Sequence, residues 1–166
     1  MTALKKKEKV IKGWWFPHLQ YVPRTMKSIP IIRYEVGGHT VELAGTPVRA
    51  GQVHHLSDTT KPIRCCDYGL HASRDIGDAA FYAFCPNVVC RVESWGDIDE
   101  SLDGDKYASR YRRIVRMYWL PDRVMDEYYR AYPGRNTDTE SVILMREIRR
   151  QDRARKAKAA KKAAAK

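Results

Sequence analysis

NVVCRVESW (87–95) and KYASRYRRIVRMYWL (106–120), joined by the acidic run GDIDESLDGD (96–105), decide how this chain of 166 residues reads. In the first, Val88, Cys90 and Val92 alternate with Val89, Arg91 and Glu93, the period-two pattern of a strand whose faces meet different surroundings. In the second, Arg110, Arg112, Ile114, Arg116 and Tyr118 alternate with Tyr111, Arg113, Val115, Met117 and Trp119. The spacing predicts two strands, antiparallel through the acidic loop. The Arg110, Arg112 and Arg116 side is then a basic and aromatic face. Three guanidinium groups there need water, carboxylates or phosphates, so the face either binds phosphate or is neutralised by Asp97, Asp99, Asp103 or Asp105. Those aspartates do not fit a calcium-loop register.

Outward from this pair, Ile76, Ala79, Ala80, Ala83 and Phe84 fall at helical spacing after Ser73, with Asp75 and Asp78 near the positive end of the dipole. A short helix over about 74–84 follows, capped by Ser73 and stopped by Pro86. Beyond Pro121, Val124, Met125, Tyr128 and Tyr132 make the apolar stripe of a second helix that ends at Pro133-Gly134. Thr137 to Glu140 offers a capping box for a third helix carrying Val142, Leu144, Met145 and Ile148. On the N-terminal side, IPIIRYEVGGHTVEL (29–43) reads as two strands around Gly37-Gly38, and the turn-rich stretch that follows suits brief strands with long surface connections. The expected fold class is α+β: a small, mostly antiparallel sheet with two or three helices to one side and a basic C-terminal helical tail.

The net charge is +11, and its position matters more than its size. Nine Lys/Arg against the single Asp152 put +8 into 149–166, and 1–12 carries +4, which leaves the body at −1. The expected organisation is a basic N-terminal arm (1–12), a single domain (13–148) and a Lys/Arg/Ala-rich tail (149–166). Charge segregated into arms points to a polyanion, because each cation meeting a phosphate releases counterions and adds salt-dependent affinity without reading bases. The residues expected to bind nucleic acid, DNA or RNA, are therefore Arg149, Arg150, Arg153, Arg155, Lys156, Lys158, Lys161 and Lys162 of the tail, with Arg110, Arg112 and Arg116 of the strand. A solubilising tail is the alternative.

No apolar run reaches the ~20 residues of a membrane span. The N-terminal MTALKKKEKVIKGWWF lacks the apolar stretch and cleavage site of a secretory signal. The expectation is a cytoplasmic protein, with Cys65, Cys66, Cys85 and Cys90 as reduced thiols, no membrane partner, no metal and no cofactor. Metal is disfavoured because no CxxC pair stands beside His54, His55 or His71. Trp14, Trp15 and Phe16 form an aromatic cluster suited either to anchoring a protein partner or to plugging the domain's own core.

RYEVGGHTVEL, CCDYGLHASRDIGDAAFYA, VVCRVESWGDI and DGDKYASRYRRIV together resemble an uncharacterised domain family of small phage and bacterial proteins. The elements that carry it are Gly69 and His71 before a short helix, and Asp105 with Lys106 before a basic strand. Leu70 stands where that family has an aromatic residue. The resemblance implies a phage or prophage origin, hence the host cell cytoplasm, and no catalytic assignment. His71 by itself reads as an imidazole bonded to nearby backbone, and Asp105 with Lys106 as a strand cap or exposed ion pair.

VHHLS, YGLHASRDIGDAAFYA and VESW also resemble, in their order, the ADP-ribosyltransferase folds. That resemblance implies NAD as substrate, with Tyr82 stacking on nicotinamide and with His55 and Glu93 completing the site. The leading functional expectation is a non-enzymatic, nucleic-acid-associated accessory protein. The alternatives are an ADP-ribosyltransferase-like enzyme and a protein-interaction module.

Overall fold

The computed structural model describes residues 9–32, 43–83, 87–131 and 137–165. In chain order they form β1 (Ile11–Trp15), β2 (His18–Val22), β3 (Lys27–Ile31), β4 (Val53–His55), β5 (Leu70–Ala72), α1 (Ile76–Phe81), β6 (Val88–Glu100), β7 (Tyr107–Trp119), α2 (Asp122–Ala131) and α3 (Thr137–Ala164). The fold is α+β. Its main sheet is antiparallel, ordered β1-β6-β7-β4, with β5 also paired to β7. β2 and β3 make a separate two-stranded sheet.

The long β6–β7 hairpin is the spine, and both faces of its base are covered. Val89 and Tyr118 pack under the helices against Ile76 and Ala80 of α1, Val124, Met125 and Tyr128 of α2, and Ile143, Leu144 and Ile148 of α3. On the other face Cys90, Val92 and Ile114 meet Ile11, Ile32, Val48 and Ala72. Each such aliphatic side chain taken fully out of water contributes roughly 1.5–3 kcal/mol. That cost-offsetting burial is concentrated where β6 and β7 lie between two layers.

The acidic run is shorter as a loop than its composition suggests. β6 continues through Glu100, so only 101–106 turn the chain, closed by backbone bonds from Ser101 to Lys106 (3.0 Å) and from Gly104 to Ser101 (3.0 Å). Gly96, at φ +85°, makes the continuation possible: it and Asp97 stand opposite Arg110 as a bulge. A Cβ at Gly96 would sit 2.8 Å from the Tyr111 ring, which lies over the glycine.

α1 begins later than its spacing predicts. Ser73 is tied by its backbone to Trp14 of β1, at 2.7 and 3.0 Å, which leaves it in a bridge and not at a cap. Asp75 caps instead, accepting from Gly77 N at 2.7 Å and from the Ser141 hydroxyl of α3. The Gly37-Gly38 turn, Phe84, Pro86 and Tyr132 to Gly134 lie outside the described residues. In α3 the buried stripe is Glu140, Ile143, Leu144, Glu147 and Ile148, while Val142 faces solvent at 66% exposure. Among the described residues no helix is long and apolar enough to cross a membrane.

Gly69 packs tightly against the spine, since a Cβ there would lie 2.5 Å from the Ala108 Cβ and 3.1 Å from Ile63. Gly69→Ala is expected to lower stability by about 1–3 kcal/mol, the range for overpacking, as read from urea unfolding.

Candidate nucleic-acid interface

The arginines of β7 do not form one open basic face. Opposite Arg116 stands Arg91, while Val92 pairs with Ile114, so Val115 is an extra residue that bulges out of β7. Facing residues of an antiparallel pair share a side of the sheet. Arg116 therefore points with Arg91, away from the side that holds Ile114 and Arg112. This corrects the strict alternation expected from the sequence, which no residue type at 115 forbids.

Arg110 and Arg112 are buried, at 5% and 2% exposure. Arg110 donates to Asp97 Oδ2 (3.0 Å) and to the carbonyl oxygens of Asp58 and Lys61 (both 2.8 Å). It thereby ties the 58–61 loop to the bulge, the internal neutralisation weighed above. Arg112 donates to the His71 carbonyl at 2.9 Å and to His54 Nδ1 at 3.2 Å, and its guanidinium lies 3.6 Å from the centre of the Trp15 ring. A guanidinium only donates, so Nδ1 accepts and the imidazole proton sits on Nε2. No carboxylate among the described residues contacts Arg112. Burial pulls its pKa down to about 9. Burial, with the Arg112 charge second, pulls His54 down to about 3, so this imidazole is neutral.

Arg116 is exposed but occupied, donating to Asp152 Oδ1 at 2.7 Å, where the Tyr118 hydroxyl also donates at 3.2 Å. These bonds dock α3 on β7 past the end of its apolar stripe. Gln151 donates to the Trp119 carbonyl (2.7 Å), and Arg155 donates to the Met117 carbonyl (2.9 Å) with its guanidinium 4.9 Å from the Tyr118 ring centre. Arg150 is held by Glu147, a buried carboxylate that Arg150, Gln151 and Arg123 draw down to about pKa 2. Arg149, Arg153, Lys156, Lys158, Lys161 and Lys162 have no acidic partner among the described residues, and 156–164 are exposed throughout. A groove along α3 is lined by Val142, Met145, Arg146, Arg149 and Arg153.

The candidates for transferase chemistry do not converge. Glu93 is in an ion pair with Arg113 on the outer face of the sheet, and His55 stacks on Tyr111 on that same face. Tyr82 ends α1, bonded to Asp105 and covered by the Lys106 ammonium 4.1 Å from its ring centre. No contact joins Tyr82 to His55 or Glu93 among the described residues. Asp105 also accepts from the Ser101 hydroxyl, so Asp105 and Lys106 fasten the hairpin turn to α1. His71 Nε2 accepts from Cys66 N at 2.9 Å, a bond to nearby backbone, and supports a residue at φ +70°. Burial, with neighbouring Cys66, raises Cys65 to about 11, and burial raises Cys90 to about 12, which keeps both thiols protonated at neutral pH. Among the described residues no group of three or more His, Cys, Asp or Glu is gathered to hold a metal. Trp14 and Phe16 pack against the helix core, and Trp15 lies under Arg112, so the aromatic cluster fills the domain.

What the sequence left unread is the outer face of the sheet. The cross-strand pairs place Lys12 beside Glu93, Arg113 beside Val53, and Trp95, Tyr111 and His55 in one row across β6, β7 and β4. Their rings are nearly parallel, with centres 4.6 Å apart at 8° for His55–Tyr111 and 5.5 Å at 7° for Trp95–Tyr111. The signal was present in the alternation of Arg91, Glu93 and Trp95 against buried Val92 and Ser94.

A neutral His54 makes the fold acid-labile. Its folded pKa lies below the ordinary 6.5, so its stabilisation is whole above 6.5 and is lost as pH falls toward about 3. The loss approaches about 1.4 kcal/mol per pH unit for one group. His54→Gln, whose amide oxygen still accepts from Arg112, is expected to flatten urea-unfolding stability across that range.

Compared with known proteins, the chain matches no family model, no curated protein and no solved structure.

Proposed function

We propose that this protein is a non-enzymatic, nucleic-acid-associated accessory protein of the cytoplasm that captures the phosphate backbone along the outer end of α3. On the resemblance of its motifs, it is of phage or prophage origin. One observation carries the reading: six cations, Arg149, Arg153, Lys156, Lys158, Lys161 and Lys162, stand on a single helix without acidic partners among the described residues. Cations distributed along and around a helix neutralise phosphates by counterion release and do so without base preference. The strand arginines drop out of this surface, because Arg110 and Arg112 spend their donors inside the domain and Arg116 holds Asp152.

The last nine residues of α3 continue about 13 Å beyond Arg155 at ~1.5 Å per residue. Their Ala and Lys composition favours helix, and the docked part of α3 supplies the nucleus that an isolated segment this short lacks. Removal of everything after 148 would strip Gln151, Asp152 and Arg155 from β7, so a clean test neutralises charge and leaves the chain whole.

The full chain with Lys156→Gln, Lys158→Gln, Lys161→Gln and Lys162→Gln is expected to melt within about ±0.5 kcal/mol of the parent, the usual range for surface changes. Its affinity for duplex DNA should fall, and the slope of log K against log salt should flatten by up to ~0.9 per lost contact. Fluorescence anisotropy across a salt series measures both. Equal affinity and equal slope in the two proteins would refute the assignment.

A further inference from the structure

We infer that the outer face of the main sheet binds single-stranded nucleic acid, with an unpaired base stacking on the His55–Tyr111–Trp95 ladder. This inference rests on the reading that the chain takes nucleic acid and names the form it takes. The three rings stand side by side across three strands, their planes within 8° of one another at each contact. Tyr111 in the middle has a ring on each side. His55 is exposed and sits on β4, where the strand order ends, so its outer ring face carries no further strand among the described residues. A flat ring of the same kind extends such a stack, and every nucleobase offers one. Bases inside a duplex have both faces taken by their neighbours, so the ladder selects unpaired bases.

The charges around the ladder complement a phosphate backbone. Arg91, Glu93 and Trp95 share one side of β6 at period two, which puts Arg91 about 13 Å from Trp95. Arg91 and Lys12 are exposed and have no acidic partner among the described residues, Arg113 lies between Arg91 and the rings, and the Arg91 guanidinium is 6.0 Å from the Trp14 ring centre. Glu93 is the acid on this stretch, and it is paired to Arg113. Arg116, cross-strand from Arg91, leads through Asp152 to α3. A single strand with a base on His55 thus has Arg113, Lys12 and Arg91 beside the ladder on the same face of the sheet. An acidic polypeptide would match the cations but gain nothing from the rings.

The test uses the full chain with a short fluorescent oligothymidylate, a hairpin duplex of equal phosphate count, and polyglutamate as an anion without bases. The parent protein is expected to prefer the single strand. His55→Ala should weaken oligothymidylate binding by roughly 5- to 100-fold, the span of one stacked base, and leave duplex affinity and the melting curve unchanged. His55→Phe should restore it, since it returns a ring. The four-lysine variant of α3 should bind both forms more weakly yet keep the preference for the single strand. An unchanged oligothymidylate affinity in His55→Ala, or polyglutamate competing as well as the oligonucleotide, would overturn the inference and leave the α3 reading standing. If the four-lysine variant binds like the parent while His55→Ala does not, the α3 reading falls and this one stands. Absence of binding to either nucleic acid removes both.

Discussion

One guanidinium reaches almost every strand of the main sheet. Arg112 belongs to β7, bonds the imidazole of β4 and the His71 carbonyl of β5, lies on the Trp15 ring of β1, and stands cross-strand from Ser94 of β6. β4 and β5 are three residues each, with too few backbone bonds to hold a position on β7 by themselves. A side chain that touches both fixes where they dock. Burying that charge is unfavourable unless its donors are met, and the fold meets the two terminal nitrogens with a carbonyl and a neutral imidazole, lays an aromatic face against the guanidinium, and leaves Nε without a partner among the described residues. The neutrality of His54 is part of the same arrangement, because a second positive charge beside a buried arginine would go uncompensated.

The parts of the fold written in periodicity were legible. The β6–β7 hairpin, α2 and the existence of α3 all follow from apolar residues recurring at the spacing of their element, and so does the α+β class. What escaped were departures of a single residue. Val115 looks like any strand residue, yet as a bulge it turns Arg116 to the opposite side from Arg112, and the expected basic face came apart there. Gly96 at least announces its bulge by its residue type. α3 escaped in another way: its stripe of contacts continues past Ile148 in Gln151, Asp152 and Arg155, polar residues that pack on β7 through hydrogen bonds and so leave no apolar signature. The cap of α1 moved from Ser73 to Asp75 because β1, unread in the sequence, had already engaged Ser73.

The same rule explains why the candidate interface was only half visible. Composition locates the tail's charge, since a run of nine cations with a single acid needs no structure to be noticed. It does not reveal which strand arginines are consumed inside. Arg110 and Arg112 looked like ligands for phosphate and serve as ligands for carbonyls, while Arg91 and Lys12, read only as part of an alternation and of the N-terminal arm, are exposed. Where a sheet leaves part of one side open, a basic residue's availability depends on its partner across the strand more than on its neighbours in the chain.

The way α3 leaves the domain has a thermodynamic consequence. A disordered cationic tail loses backbone freedom when it meets its ligand, and that loss is subtracted from every contact it makes. Here the helix is already wound through Ala164, its base pinned by Asp152 and Arg155. The ordering takes place when the protein folds, before any ligand arrives, so the cations meet a polyanion at fixed spacing and with little further entropy to lose.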